Sequence, residues 1–279
     1  MTLADQIATL CDPLPFRTYW QVKLLDTQEV CGRGDRLVLP AASVRKTSVL
    51  MAALRAVHEG RLDLDAPVQI RSELQPGVVS GVCQYMTPGV AIPMRDMMLL
   101  MMIASDNICT YEVMKDLDLG EITDYCRRIG MVDTLHRTKL PPVGLSADHA
   151  LEKVTTTTAA DQVLLLELIM RGVHEPEIAD RLMVTPQLCL MAMQFLSWQR
   201  FRNMIPALLP LGTAVAHKTG RGQRGWMDAG IVFRDGRPAY IISATTDDVP
   251  ETMPDGLPGH SAATQTIARL SRVVWDSLA

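Results

Sequence analysis

The sequence lacks the features that mark several classes of protein. Its 279 residues include 27 Lys and Arg against 31 Asp and Glu, so there is no positive excess to bind nucleic acid. The most apolar run, Met97 to Ala104, is far shorter than the ~20 residues that cross a bilayer. The first ten residues carry Asp5 and have neither the basic start nor the apolar run of a secretory signal. We therefore expect a cytoplasmic protein that binds neither nucleic acid nor membranes.

Cysteine is present, but in no pattern that indicates a metal site. The chain has no Cys-x-x-Cys pair and no histidine at a metal-ligand spacing from a cysteine. In a chain without a visible export signal, free thiols are the ordinary state of cysteine. We predict no metal, no cofactor and six free thiols, at Cys11, Cys31, Cys83, Cys109, Cys126 and Cys189.

The composition is that of a globular protein, with 48% hydrophobic and 21% charged residues. Patterns typical of strands cover residues 16–26, 28–32, 214–219, 229–233 and 239–245. Patterns typical of helices cover residues 2–11, 94–104, 107–117, 120–129, 159–171, 175–183, 187–197 and 259–278. Strands near both ends and helices between them predict an α/β (α+β) fold, with one antiparallel sheet built from both termini and flanked by helices. We expect a single domain, 1–279, with a sheet lobe of about 1–45 and 205–279 and an inserted helical lobe of about 46–204.

Local signals predict the connections between these elements. A further helix is expected from Ser43 to about Glu59, after Pro40. Residues 62–93 contain many prolines and glycines and are expected to be irregular. The Thr155–Thr158 run is typical of a helix N-cap region. Arg234–Arg237 contains Asp-Gly, which favours a tight turn between two strands.

Three short motifs occur once each, in the order Ser43-Val44-Arg45-Lys46, Ser105-Asp106-Asn107 and Lys218-Thr219-Gly220. Each motif alone is weak evidence, because a Ser-x-x-Lys arises about once by chance in a chain of this length. Their predicted positions give them weight. They fall at a helix start, at the end of an apolar helix and at the end of a strand.

The residue types of these motifs suit nucleophilic chemistry. At a helix start, free N–H groups and the positive end of the helix dipole favour an anion near Ser43. Lys46 follows one turn later on the same face, within reach of the serine oxygen. Burial beside other cations lowers the pKa of a lysine, and the neutral amine can accept the serine proton. The alternative interpretation is a serine N-cap followed by a solvated lysine.

The three motifs together resemble those of class A β-lactamases and penicillin-binding proteins, and the resemblance extends over about residues 16–279. It implies that Ser43 is the acylated nucleophile and that Lys46 is its base. It also implies that Ser105 relays a proton to the leaving group. Lys218 would tune Ser105 and attract a substrate carboxylate.

The same resemblance implies a set of substrate-binding groups. Asn107 would donate a hydrogen bond to the substrate amide, and Thr219 would help to hold a carboxylate. The backbone N–H groups of Ser43 and Arg221, next to Gly220, would form the oxyanion hole. Arg221 and Arg224 offer guanidinium groups for a substrate carboxylate, or form a solvated basic turn.

One part of the sequence departs from the family. Class A β-lactamases hydrolyse the acyl-enzyme with a glutamate on the loop before the third motif, but residues 140–149 contain no glutamate. Glu152 and Asp148 are the remaining candidates for this base, and neither has the expected setting. His217 neighbours Lys218 on an alternating strand, so we interpret it as a packed structural histidine on the other side of the sheet.

The leading hypothesis is a serine hydrolase that acts through an acyl-enzyme on a small amide, lactam or ester. The positive charge of the third motif favours a substrate that bears a carboxylate group. One alternative is a true β-lactamase or D,D-peptidase, which requires an export signal that the sequence does not display. Another is a binding or sensor module that is acylated without turnover. The partner in each case is a small molecule, and the sequence predicts no oligomeric state.

Overall fold

Strands from both ends of the chain form the central sheet. The computed structural model describes residues 1–278. The strands in this part of the chain are β1 (Arg17–Leu24), β2 (Val30–Arg33), β3 (Leu39–Pro40), β4 (Pro67–Gln69), β5 (Ala91–Pro93), β6 (Thr156–Thr157), β7 (Val215–Arg221), β8 (Trp226–Arg234) and β9 (Arg237–Asp247). Five of them pair antiparallel in the order β2-β1-β9-β8-β7. The predicted fold class is therefore confirmed, and β7, which carries the third motif, lies at an edge of the sheet.

Helices cover both faces of this sheet. The helices in residues 1–278 are α1 (Leu3–Cys11), α2 (Lys46–His58), α3 (Met94–Ile103), α4 (Asn107–Val113), α5 (Leu119–Ile129), α6 (Ala159–Gly172), α7 (Pro176–Arg181), α8 (Pro186–Ser197) and α9 (Gly259–Ser277). Ile242 of β9 packs with Ile7 of α1 and Ile267 of α9. Its neighbour Ile241 packs in the other core, with the helices that lie between the two ends of the chain. Successive side chains of a strand point to opposite faces, so β9 contributes to both cores.

Two local predictions are confirmed. Asp235 and Gly236, at the turn between β8 and β9, have φ angles of 51° and 75°, as the Asp-Gly signal predicts for a tight hairpin turn. Thr158 is the N-cap of α6, and its side chain accepts a hydrogen bond of 3.0 Å from the Asp161 amide. Residues 62–93 are mostly irregular, but they also contain β4 and β5, which pair with each other.

The predicted start of the second helix is wrong by one turn. Residues Ala42–Arg45 form a 3₁₀ turn, and the α-helix begins at Lys46. The chain arrives from β3, which is paired with β6, and the Ala41 amide donates to Thr155 O at 2.8 Å. Ala42 then has a φ of 38°, in the left-handed region. This sharp change of direction at a fixed entry point tightens the first turn, so Ser43 lies just before the α-helix.

The described cysteines are all free, and none of the helices in residues 1–278 is long and apolar enough to cross a membrane. We expect titration of the unfolded, unreduced chain with a thiol reagent to recover all six thiols. A titre of four or fewer in protein that has met no oxidant would contradict the prediction.

Candidate active site

The three motifs meet at the β7 edge of the sheet. A Cβ atom at Gly220 would lie 3.2 Å from the backbone nitrogen of Ser43 and 2.5 Å from Cγ of Met227. Only glycine therefore lets the end of β7 lie this close to the turn that carries Ser43. Ser43 is half-buried, and its backbone nitrogen lies beside the strand that contains the third motif.

Lys46 connects the first motif to the second. Its side chain is fully buried, and its Nζ lies 2.6 Å from Ser105 O, 3.1 Å from Ser105 Oγ and 2.8 Å from Asn107 Oδ1. An ammonium group has three hydrogens and would donate to all three oxygens. A neutral amine has two hydrogens and one lone pair, and Ser105 Oγ is the one partner of the three that can donate in return. The same contacts thus accommodate both protonation states of Lys46.

The surroundings favour the neutral state of Lys46. Burial lowers the pKa of Lys46 well below its usual value, and the positive charges of Lys218 and Arg45 lower it further. The charge of Asp106 acts in the opposite direction and is the smaller effect. A lysine in this setting can take a proton from a serine near neutral pH.

Asp106, to which sequence reasoning assigned no role, shapes the second motif. It is fully buried, and its carboxylate accepts hydrogen bonds from the amides of Val82 (2.7 Å), Cys83 (2.8 Å) and Cys109 (3.0 Å). The first two amides belong to the preceding loop and the third to the first turn of α4. Ser105 has a φ of 54°, so the chain turns sharply here and presents its hydroxyl to Lys46.

Asn107 is held at both ends of its amide. Its Oδ1 accepts from Lys46, and its Nδ2 donates to Val79 O at 2.5 Å. An amide nitrogen carries two hydrogens, so one of them is engaged by the loop. The donation of the other to a substrate amide stays a prediction.

The lysine of the third motif is also fully buried, and its Nζ donates to Thr219 O at 2.8 Å. Burial lowers the pKa of Lys218 to about 7, against the opposing charge of Asp228. The positive charge of Lys218 reaches the first motif, where it helps to lower the pKa of Lys46. Direct tuning of Ser105 by Lys218, and the binding of a carboxylate by Lys218 and Thr219, stay predictions.

The two arginines after Gly220 differ in their surroundings. Arg221 is exposed at the end of β7. Arg224 forms a two-pronged ion pair with the buried Asp247, with distances of 2.7 Å from Nε and 2.6 Å from Nη2. Binding of a substrate by Arg224 would have to compete with this pair, so Arg221 is the more accessible guanidinium.

His217 is a packed structural residue, as predicted. Its side chain is fully buried, and Nδ1 lies 2.9 Å and 3.0 Å from the two carboxylate oxygens of Asp228. Asp228 also accepts a hydrogen bond of 3.1 Å from the Ile205 amide. The pair thus ties β7 and β8 to the segment that precedes them.

Sequence reasoning missed Arg45, whose side chain is 3% exposed. Its guanidinium donates to the carbonyl oxygens of Thr138 and Lys139, the latter at 2.7 Å. These residues begin the loop in which the family carries its deacylating glutamate. The signal was a charged residue between Ser43 and Lys46, but its burial depends on contacts far away in the sequence. Arg45 fastens this loop to the 3₁₀ turn that carries Ser43.

The loop itself supplies no carboxylate to Lys46. Asp148 and Glu152 are both exposed, and within residues 1–278 every hydrogen bond of the Lys46 side chain goes to Ser105 or Asn107. Hydrogen bonds from Ser146 and from the backbone lower the pKa of Asp148, and the charges of His149 and Arg224 lower it further. The loop that lacks the family's glutamate thus also places no other acid in contact with Lys46.

Comparison with known proteins identifies the family. Residues 2–278 match Beta-lactamase2, described as a β-lactamase enzyme family. A β-lactamase of Bacteroides uniformis is 25% identical over 264 residues, 91% of this chain and 83% of its own. A β-lactamase structure from Sphaerobacter thermophilus is 19% identical with a TM-score of 0.83, covering 99% of this chain and 96% of its own. The structure of a PBP-A mutant, described as an acyl-enzyme complex with penicillin G, is 23% identical with a TM-score of 0.81. It covers 99% of this chain and 96% of its own. The chain belongs to the β-lactamase enzyme family, within the superfamily of serine β-lactamases and penicillin-binding proteins.

Proposed function

We propose that this chain hydrolyses a small, carboxylate-bearing amide, lactam or ester through an acyl-enzyme on Ser43. The observation that supports this most strongly is the buried Lys46, bonded to the second motif and surrounded by the cations Lys218 and Arg45. Membership of a hydrolase family supports the reaction class. The PBP-A relative, captured with penicillin G on the enzyme, supports an acyl intermediate in this fold.

In the acylation step, Lys46 accepts the proton of Ser43 and Ser43 Oγ bonds to the substrate carbonyl carbon. Lys46 must first release one of its three partners, and Ser105 Oγ is the most distant, at 3.1 Å. The proton then passes through Ser105 to the leaving amine or alcohol as the bond to the carbonyl carbon breaks. The amides of Ser43 and Arg221 would stabilise the oxyanion.

Substrate choice follows from the positive charge of the site. The cations Lys218 and Arg45 are buried near Lys46, and the one carboxylate among the first two motifs, Asp106, is occupied by three amides. A substrate carboxylate would supply the missing negative charge. The exposed Arg221 lies at the end of β7, the strand that carries Lys218.

Deacylation would use the same lysine. Water bonds to the acyl carbon, its proton passes to Lys46, and Ser43 recovers a proton as its bond to carbon breaks. This route is suited to substrates whose leaving group departs fully. A β-lactam keeps its leaving group tethered near the ester, where it shields the carbon from water, so we propose that penicillins remain attached.

We predict that neither acid of the loop is required for turnover. Glu152→Gln and Asp148→Asn should each retain most of the hydrolysis of a chromogenic ester with a free carboxylate, such as the mono-p-nitrophenyl ester of glutaric acid. Both side chains are exposed and neither contacts Lys46. Lys153→Gln, an exposed lysine in the same segment, is the matched control. Accumulation of a stable acyl-enzyme in Glu152→Gln, with acylation still fast, would identify Glu152 as the base and contradict this route.

Reaction with a fluorescent penicillin separates the alternatives. Fast turnover of the label would indicate a true β-lactamase, and we expect a lasting adduct instead. A sensor module would also keep the label, but it would not turn over the carboxylate-bearing ester. Turnover of the ester together with a lasting penicillin adduct is the result that supports the proposed function.

A further inference from the structure

Two cysteines lie in contact directly beneath the second motif. Sγ of Cys83 is 3.4 Å from Sγ of Cys109, and both side chains are fully buried. Cys83 belongs to the loop before α3, and Cys109 to the first turn of α4. The amides of both residues bind the carboxylate of Asp106, which therefore holds the two chain segments together.

The donor set suits a disulfide better than a metal ion. The two sulfurs and a carboxylate oxygen of Asp106 lie within 4.8 Å of one another. However, Oδ2 of Asp106 already accepts two amides and Oδ1 accepts a third, so a metal would have to displace these bonds. Zinc in structural sites takes four ligands, and the cluster contains no histidine. The cluster thus offers two sulfurs in contact and no other free ligand for a metal, which favours a bond between the sulfurs.

We propose that Cys83 and Cys109 are a site of oxidative modification, at which a peroxide joins the two thiols in a disulfide. One thiol sulfur attacks hydrogen peroxide, the O–O bond breaks, and a sulfenic acid and one water form. The second thiol sulfur then displaces the hydroxyl as a second water. The sum is two thiols and one peroxide giving one disulfide and two waters. The sulfurs need to approach by about 1.4 Å to reach the usual S–S length of ~2.05 Å.

Oxidation at this site should proceed slowly. The contact with Cys83, followed by burial, raises the pKa of the Cys109 thiol, and the thiolate is the reactive form. Hydrogen peroxide is little larger than water, so it can reach the pair through small openings of the loop. The half-buried Cys31 lies outside the pair, so its oxidation in the same sample can be compared with that of the pair.

The disulfide would fix the loop that supports the reactive groups. The Asn107 amide donates to Ser80 O at 3.3 Å, and Asn107 Nδ2 donates to Val79 O. Ser80 Oγ donates to Ser105 O at 3.0 Å. Because Cys83 follows this segment, a covalent bond to Cys109 would tether it to α4 and restrain its opening. The proposal does not depend on the reaction proposed for Ser43.

The test uses the whole chain, reduced, freed of reductant and treated with excess hydrogen peroxide. We expect the thiol count to fall by two, from six to four, with a loss of about 2 Da and one cross-linked peptide containing Cys83 and Cys109. Amide exchange in residues 79–85 should slow, and the Tm should rise by about 5 °C, as expected for a disulfide that closes a loop of this size. Cys189→Ser, which removes a buried thiol outside the pair, should lose two thiols in the same way.

Cys83→Ser and Cys109→Ser should each lose the cross-link while the other cysteines stay unpaired. Formation of sulfinic acid on a single cysteine, a link between other cysteines, or no loss of thiols in the wild type would overturn the proposal. So would stoichiometric zinc in the purified protein that disappears in Cys83→Ser. A cross-link that leaves exchange in residues 79–85 unchanged would overturn the proposed restraint on the loop.

Discussion

Replacing Ser43 by alanine is expected to reduce hydrolysis of the carboxylate-bearing ester by at least about a thousandfold, because no acyl-enzyme can form. The fold should be unaffected. Ser43 is half-buried, and its hydroxyl makes no hydrogen bond within residues 1–278 that alanine would lose. Steady-state rates and the circular dichroism spectrum of the variant provide the comparison.

Ser146→Ala is the matched control, since Ser146 is an exposed serine of the loop near the site. It should retain nearly wild-type turnover and acquire the label from fluorescent penicillin, while Ser43→Ala acquires none. Near-normal turnover by well-folded Ser43→Ala protein would refute the mechanism as a whole.

Lys46→Ala should reduce hydrolysis of the carboxylate-bearing ester by a similar factor. The variant keeps Ser43 but removes the proposed base, together with three contacts to Ser105 and Asn107. Acylation by fluorescent penicillin should slow by several orders of magnitude. Since a buried lysine also organises the second motif, the Tm of the variant must be measured beside the rate. Fast acylation by Lys46→Ala would assign the base to another residue.

The pH dependence distinguishes a base from a merely structural lysine. Burial, then the charges of Lys218 and Arg45, lower the pKa of Lys46, so Lys46 is neutral and active above that pKa. Lowering the pH through it protonates the amine and should reduce kcat. Burial lowers the pKa of Lys218 to about 7, so raising the pH deprotonates Lys218. The KM of the carboxylate-bearing ester should therefore rise on the alkaline side, whereas that of an uncharged ester should rise less.

Much of the architecture was predictable because its causes are local. The apolar runs of the β8–β9 hairpin and the Asp-Gly pair at its turn are local signals for two strands and their connection. The N-cap at Thr158 likewise depends on residues within one turn of it. The helix start at Lys46 was misplaced by the sequence reasoning because it is set by the pairing of β3 with β6, residues that are distant in the chain.

The residues of the site likewise divide into those that local motifs predict and those that are placed by distant contacts. Ser43, Lys46, Ser105 and Asn107 were named from motifs whose spacing is encoded locally, and the structure brings the last three into direct contact. The buried position of Arg45 was not predictable, because it follows from where the 138–139 carbonyls lie. The same holds for the pairing of Arg224 with Asp247, which joins the start of β8 to the end of β9.

The absence of a glutamate from residues 140–149 is plain in the sequence, but its meaning depends on the contacts. Arg45 holds the beginning of that loop, and Arg137 donates to Val154 O at 2.9 Å near its end. The loop is thus fastened by arginines to backbone oxygens, and its two acids remain exposed. This arrangement supports the proposal that Lys46 activates water.

Intact-mass measurement of the wild-type chain over time with benzylpenicillin, followed by peptide mapping, shows whether Ser43 is acylated and whether the acyl group is released. We predict one penicilloyl group per chain, attached to Ser43, that persists for hours after free penicillin is removed and persists equally in Glu152→Gln. An adduct on another residue, no adduct at all, or rapid loss from the wild type combined with retention in Glu152→Gln would contradict the account.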